Sequence, residues 1–373
     1  MIDTVVLKIP KGQYYISKPD KFNKNADEFI KYEKPLSKIT NNPTAEDKKL
    51  HLYRPCLTLT KRWTNNGDIE QALTIQFSAP KLLYGNNLEE LSDSDFDIVL
   101  ERLTSSLRDI GVNILKPLLA TAQVSAVHYS KNIELRDGYT PSFVIKELMK
   151  VNISKKLDIT RHGFQNDGQS LQYYATSNSF VFYDKIQDIQ KTKNRAIDKD
   201  QNYIQRSLFE QAKEQRLEII RVEIRIADRR KLNSLFQKLG CPKNPTFKDV
   251  FCEETSQKVV KHYWQELIAN HNLFIFTSDN KPKQILNTLL INYPRIKHKQ
   301  AIFLTGLCLL AKDETGIREM RQMLDNRANP RTWTRIVKEL KNLNKSPTQY
   351  DGWVKQIIAQ IDEFKPFKLK LDM

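Results

Sequence analysis

Seven short runs of β-branched and aromatic residues punctuate the first 230 residues of this 373-residue chain, at 4–9, 52–59, 69–77, 122–129, 171–175, 179–185 and 218–227. Several alternate apolar with polar residues, the period-2 signature of half-buried strands. Helix-period segments at 92–110, 141–151, 203–215 and 229–239 separate them. The order is three strands and a helix, then a mixed series of strands and helices. It predicts an α+β fold on an antiparallel sheet, with two related halves at about 1–115 and 116–240. The basic, Asn-rich stretch 11–49 reads as an irregular insertion or long loop, and 190–201 as a loop or the start of a long helix. From about residue 281 the texture becomes helical, punctuated by Pro294, Pro330 and Pro347.

The strand Ile220-Arg-Val-Glu-Ile-Arg-Ile226 carries the sharpest pattern. Val222, Ile224 and Ile226 face a core, which leaves Arg221, Glu223 and Arg225 as a polar row. In Ser179-Phe-Val-Phe-Tyr-Asp-Lys185, Phe180, Phe182 and Asp184 share one face and Ser179, Val181, Tyr183 and Lys185 the other. Such rows are ordinarily solvated. One acid between two arginines beside a Tyr/Lys pair also suits phosphodiester chemistry. A free phenol titrates near pH 10, so a tyrosine nucleophile needs a cation or a metal-polarised phosphate. Lys185 and a cation held by Glu223 are the candidates. His128 ends the strand Gln123-Val-Ser-Ala-Val-His-Tyr129 and is a candidate metal ligand, although a lone strand histidine is more often structural. No His-hydrophobic-His pair occurs. Tyr129, Tyr173 and Tyr174 on nearby strands are alternative nucleophiles.

The net charge is +16, of which residues 281–373 hold +9. A localised excess of this size implies a polyanionic partner, most often nucleic acid, rather than evenly spread solubilising charge. Within 316–343, Ile317, Met320, Met323 and Leu324 share a helical face. Asn329 and Pro330 then suit a helix start, and Trp333, Ile336, Val337, Leu340 and Leu343 form a second apolar face. Arg331, Arg335 and Lys338 lie off that face. The pattern fits a helix-turn-helix that presents them to DNA; an ordinary helical hairpin is the plainer reading. The glycines are few, and neither phosphate-loop signature occurs, which argues against a P-loop or classical dinucleotide enzyme. Cys56, Cys241, Cys252 and Cys308 show no C-x-x-C pair, so neither a disulfide scaffold nor a zinc ribbon is expected. No secretory signal or membrane span is read, so a soluble, cytoplasmic protein is expected.

Taken in order, these segments resemble the replication initiation proteins of filamentous bacteriophages, which are related to the Rep proteins of rolling-circle plasmids. The opening Met-Ile-Asp-Thr-Val-Val-Leu-Lys-Ile-Pro10 resembles the family's first strand. Ser78-Ala-Pro-Lys-Leu-Leu-Tyr-Gly-Asn-Asn87 resembles its S-P-A-K-x-L-x-G-x-N segment. Phe182-Tyr-Asp-Lys185 resembles its Tyr-x-Lys strand, Ile220–Ile226 its R-x-E strand, and Asn329-Pro-Arg-Thr-Trp-Thr-Arg335 its C-terminal P-R-x-x-x-R helix start. The resemblance implies a Rep/relaxase-like nuclease domain over 1–280 and a helical DNA-binding domain over 281–373. It implies site-specific nicking of a double-strand origin, with Tyr183 forming a 5′-phosphotyrosyl link and rejoining after displacement. Lys185 would lower the phenol pKa or neutralise the phosphorane, and Glu223 with His128 would bind Mg²⁺ or Mn²⁺. Arg221, Arg225, Arg331, Arg335 and Lys338 would contact DNA. The implied partners are origin duplex, displaced single strand and the host helicase, polymerase and single-strand-binding protein; a homodimer is compatible. The family's Ser-Arg-Ile-Asp stands here as Ser125-Ala-Val-His128. A neutral imidazole can still ligate a metal, but Ala126 makes no phosphate contact. A non-catalytic origin-binding protein on the same scaffold is the main alternative. An RNA-binding protein stays open on charge alone, although no RNP-type strand supports it, and Thr160-Arg-His-Gly163 only superficially suggests a tyrosine recombinase.

Overall fold

The computed structural model describes residues 1–44, 47, 53–64, 66–151, 158–165, 169–190, 217–269, 275–277, 281–313, 316–325 and 350–369, together with 332, 333, 335, 336, 338 and 339. Eleven strands are present among them: β1 (Ile2–Pro10), β2 (Tyr15–Ile16), β3 (Ser37–Asn41), β4 (Cys56–Trp63), β5 (Ile69–Ser78), β6 (Val112–Asn113), β7 (Gln123–Leu135), β8 (Asp158–Gln165), β9 (Ser170–Tyr174), β10 (Asn178–Asp184) and β11 (Glu218–Ile226). Nine form one antiparallel sheet in the order β3-β4-β5-β1-β7-β11-β10-β9-β8, and β2 pairs with β6.

The two sides of this sheet share one connectivity. β1 leads through helix Ala26–Tyr32 into the meander β3-β4-β5, whose last strand returns to β1. β7 leads through helix Pro141–Leu148 into the meander β8-β9-β10-β11, whose last strand returns to β7. β1 and β7 pair at the centre.

Alternation gives the sheet two unlike faces. Val5, Leu7, Leu73, Ile75, Phe180, Phe182, Val222 and Ile224 are fully buried on one. Aromatic rings from the helices seat against it: Phe77 on Phe247 at 5.6 Å, Phe180 on Tyr263 at 6.0 Å and Phe182 on Trp264 at 6.4 Å between centroids. The other face carries polar, half-exposed residues over much of β1, β4, β5 and β7. The apolar core runs unbroken from Met1 to Phe364 and takes in Ile285, Leu304, Ile317 and Trp353 of the C-terminal helices Pro282–Asn292, His298–Lys312, Gly316–Asp325 and Gly352–Glu363.

Helix Gly352–Glu363 has a second task. β7 outlasts β1, so its edge beyond residue 130 has no strand beside it among the described residues. Gln360 accepts from Glu134 N at 2.9 Å and donates to Glu134 O at 2.8 Å. Gln356 accepts from Arg136 N at 2.8 Å and donates to Arg136 O at 3.4 Å. Glu90 accepts from Asn132 N at 2.5 Å. Side chains on every second residue thus replace a missing strand and close an edge that would otherwise invite pairing.

Several expectations shift. The second run begins at Cys56 rather than 52, because Pro55 has no N–H for a ladder. The fourth run extends to Leu135, since Ser130, Lys131 and Asn132 read as polar but are buried. The stretch 11–49 is no irregular insertion: it holds helix Ala26–Tyr32, capped by Asn25, and β3, which extends the sheet. β8 was not anticipated. The expected 92–110 helix opens with a 3₁₀ turn under a Ser92 capping box and runs Phe96–Asp109. Met323, expected on a buried face, is 63% exposed. The 203–215 helix, the 190–201 stretch beyond Gln190 and the Asn329–Pro330 helix start lie outside the described residues; Gln190 itself ends helix Lys185–Gln190. No helix among the described residues is long and apolar enough to cross a membrane.

Trp353 is fully buried and packs on Phe276 at 4.8 Å. Trp353→Ala is expected to cost about 3–5 kcal/mol in urea unfolding if the last helix is integral to the sheet; a cost below about 1 kcal/mol would show that the helix is only loosely attached.

Candidate functional site

The polar row of β11 meets β10 on one side and β7 on the other. Tyr183 is paired with Arg221 across β10/β11, and His128 with Arg225 across β7/β11. In-register pairing therefore places Tyr183, Arg221, Glu223, Arg225 and His128 on the same face. Asp3 joins them through an irregularity. The register of β1 against β7 shifts between Ile2 and Val5. Strict alternation would send Asp3 toward the helix-covered face with Val5 and Leu7; the shift re-aims it, a common use of bulges beside sites.

Glu223 is the hub. It is 3% exposed, and the Tyr183 hydroxyl donates to its Oε2 at 2.9 Å. Arg225 Nε donates to Oε1 at 2.8 Å, and His128 Nδ1 lies 3.5 Å from the same oxygen. Burial works to raise the carboxyl pKa, yet Arg225, His128 and Arg221 together hold it well below the usual carboxylate range. The opposite holds for the phenol. Burial pushes Tyr183 well above its ordinary value, Glu223, Asp188 and Asp3 add to the rise, and Arg221 opposes it. This is the reverse of the lowering expected from Lys185.

Asp3, His128 and Glu223 each offer a ligand atom, and these atoms lie within 4.8 Å of one another. Two carboxylates and an imidazole are donor types that a hard divalent cation would use. Asp3 accepts from Ser78 Oγ at 3.3 Å and faces Arg221 Nη2 at 3.2 Å.

Arg221 is 2% exposed and donates to Asn87 O at 2.5 Å and Ser130 Oγ at 2.7 Å. It organises the site from within rather than presenting itself to a ligand. Lys185 is fully buried at the start of helix Lys185–Gln190; its ammonium donates to Asn87 Oδ1 at 2.8 Å and stands 5.8 Å from the Tyr183 ring centroid. Asn87, from the Ser78–Asn87 segment, thus holds both cations, one through its side chain and the other through its main chain. The segment is held in turn by Glu90, which binds Lys131 at 2.6 Å and accepts from Phe367 N at 2.9 Å. Arg225 is half-exposed at the site.

Of the alternative tyrosines, Tyr129 and Tyr173 are buried and donate to Val250 O and Leu148 O. The side chain of Tyr174 lies outside the described residues. Among the C-terminal candidates, Arg335 and Lys338 are exposed while Trp333 and Ile336 are buried, as an amphipathic helix requires; Arg331 lies outside the described residues.

Sequence reading missed Asp3 and Asn87 as site members. Asp3 had one available signal, the one carboxylate of its strand; Asn87 had none beyond its segment. Comparison of the chain with protein-family models, with curated proteins and with solved structures finds no match in any of the three.

Arg221→Met leaves Asp3 and Glu223 buried with one cation fewer. It is expected to cost about 3–5 kcal/mol in urea unfolding, and adding Asp3→Asn should recover part of the loss through their coupling. Simple additivity of the two changes would show that the ion pair is not formed.

Proposed function

We propose that this chain initiates rolling-circle DNA replication as a site-specific nickase-ligase with Tyr183 as nucleophile. The observation that carries the reading is the bond from the Tyr183 hydroxyl to Glu223, at a carboxylate shared with His128 and neighboured by Asp3.

The half-buried phenol is held well above its ordinary pKa, so attack requires a proton acceptor. Glu223 is already bonded to that proton and is held as a carboxylate by its cationic neighbours. Tyr183 Oη forms a bond to the scissile phosphorus as the bond from phosphorus to the 3′ oxygen breaks. The phenol proton passes by way of Glu223 to the departing 3′ oxygen. The products are a 5′-phosphotyrosyl adduct and a 3′-OH that primes synthesis; the same exchange in reverse closes the displaced strand. Arg225 faces the charge that develops on the phosphorane, a task for preorganised donors. Arg221 and Lys185 act as positioning residues through Asn87. A Mg²⁺ or Mn²⁺ ion held by Asp3, His128 and Glu223 would polarise the phosphate and stabilise that same charge. Asp3, from the neighbouring strand, supplies a second carboxylate where the β7 strand carries His128. Origin binding in this reading draws on Arg335 and Lys338, with phosphate contacts giving most of the affinity.

The test is a nicking assay on supercoiled DNA that carries the cognate replicon's intergenic region. Wild type should nick with Mg²⁺ or Mn²⁺ and not in EDTA, leaving protein on the 5′ end. Tyr183→Phe should lose both nicking and adduct, and Glu223→Gln should slow nicking by roughly 10²–10⁴-fold. Nicking by Tyr183→Phe at the wild-type rate would overturn the nucleophile. Tight binding without nicking under either metal would favour a non-catalytic origin-binding protein. Arg335→Ala with Lys338→Ala should weaken origin binding and flatten its salt slope by about 0.9 per lost contact; an unchanged slope would remove these residues from the interface.

A further inference from the structure

The half of the sheet formed by β3, β4, β5 and β1 carries little of the site: β3 and β4 contribute no residue, β5 contributes Ser78 and β1 contributes Asp3. Its polar face is nonetheless ordered. Lys8 is paired with Thr74, Thr74 with Thr58, and Thr58 with Thr40. One cross-strand row of an ammonium and three hydroxyls therefore runs over four adjacent strands, and all four side chains are half-exposed. Strand spacing makes the row roughly 14 Å long from β1 to β3. It lies on the face that bears His128 and Arg225, because Val6, two residues before Lys8, is paired with Ala126, two residues before His128.

Threonine is common on half-buried strands, so its presence alone proves little. The arrangement says more. The row holds no carboxylate. Nearby, the carboxylate of Glu70 is bound by both Lys8 at 2.6 Å and Arg62 at 2.7 Å, so it is already neutralised. Lys38 on β3 is exposed beside the row. Hydroxyls and amines of this kind are the usual donors to phosphate and sugar oxygens. The side chains are short and stand on a sheet, so they have no reach into a duplex groove. They suit a strand laid along the surface.

We propose that this face is a second DNA-binding surface, which holds the sugar-phosphate backbone of single-stranded DNA entering or leaving the Tyr183 site. That it serves the scissile strand rests on the nickase reading above. The two sides of the sheet then divide the work, β7–β11 for chemistry and β1 with β3–β5 for holding the strand.

The experiment measures anisotropy of a labelled oligothymidylate of about 20 nucleotides with the full chain in EDTA, which separates binding from cleavage. Thr58→Glu with Thr74→Glu should weaken binding about tenfold through like-charge repulsion. Thr58→Lys with Thr74→Lys should strengthen it and steepen the salt slope by about 0.7 per added contact. Opposite responses at the same positions are not produced by loss of structure. No binding by wild type, equal binding by all variants, or weakening by both pairs would overturn the proposal. A duplex of the same length that binds more tightly and responds to the same substitutions would overturn the single-strand assignment. The result is independent of nicking: should wild type fail to nick under either metal, the nickase reading fails while the anisotropy still decides the surface.

Discussion

A carboxylate with 3% exposure, shared among a phenol, a guanidinium and an imidazole, sets the terms for the centre of this sheet. Taking Glu223 out of water is costly, and only the cations around it keep it charged. Those cations need holding as well. Arg221 is therefore tied to Asp3, Ser130 and Asn87, and Lys185 to Asn87. Replacing such a network by apolar residues is often neutral or stabilising, so stability alone is a weak reason for it. Strongly shifted groups gathered on one face mark a candidate site.

The same requirement reaches far along the chain. Asn87 is in place because Glu90 is anchored, and Glu90 is anchored by Lys131, Asn132 N and Phe367 N. The C-terminal segment thus bears on the site through Glu90, while the helix before it closes the β7 edge with Gln356 and Gln360. Elements more than 200 residues apart in sequence converge on one strand.

Much of this was legible from residue patterns. The alternation of Ile220–Ile226 fixes which side of β11 is apolar, and pairing carries that assignment to Tyr183 and His128. Asp3 was not legible, because its orientation depends on a register shift between two strands, a property of their pairing rather than of either sequence. The β7 extension was missed for a related reason: Ser130, Lys131 and Asn132 look like surface residues until the partners that bury them are known. Lys185 reads as a cation beside the phenol, and its ammonium does stand by the Tyr183 ring; that it is also bound by Asn87, after the turn from β10 into a helix, was not legible.

The proposed nickase needs Asp3, His128 and Glu223 to act as one cation site beside Tyr183. Calorimetric titration with Mn²⁺ tests it most directly. The account predicts one site on wild type, retained by Tyr183→Phe and lost by Asp3→Asn with His128→Ala. Equal Mn²⁺ binding by wild type and the Asp3→Asn, His128→Ala variant would contradict it.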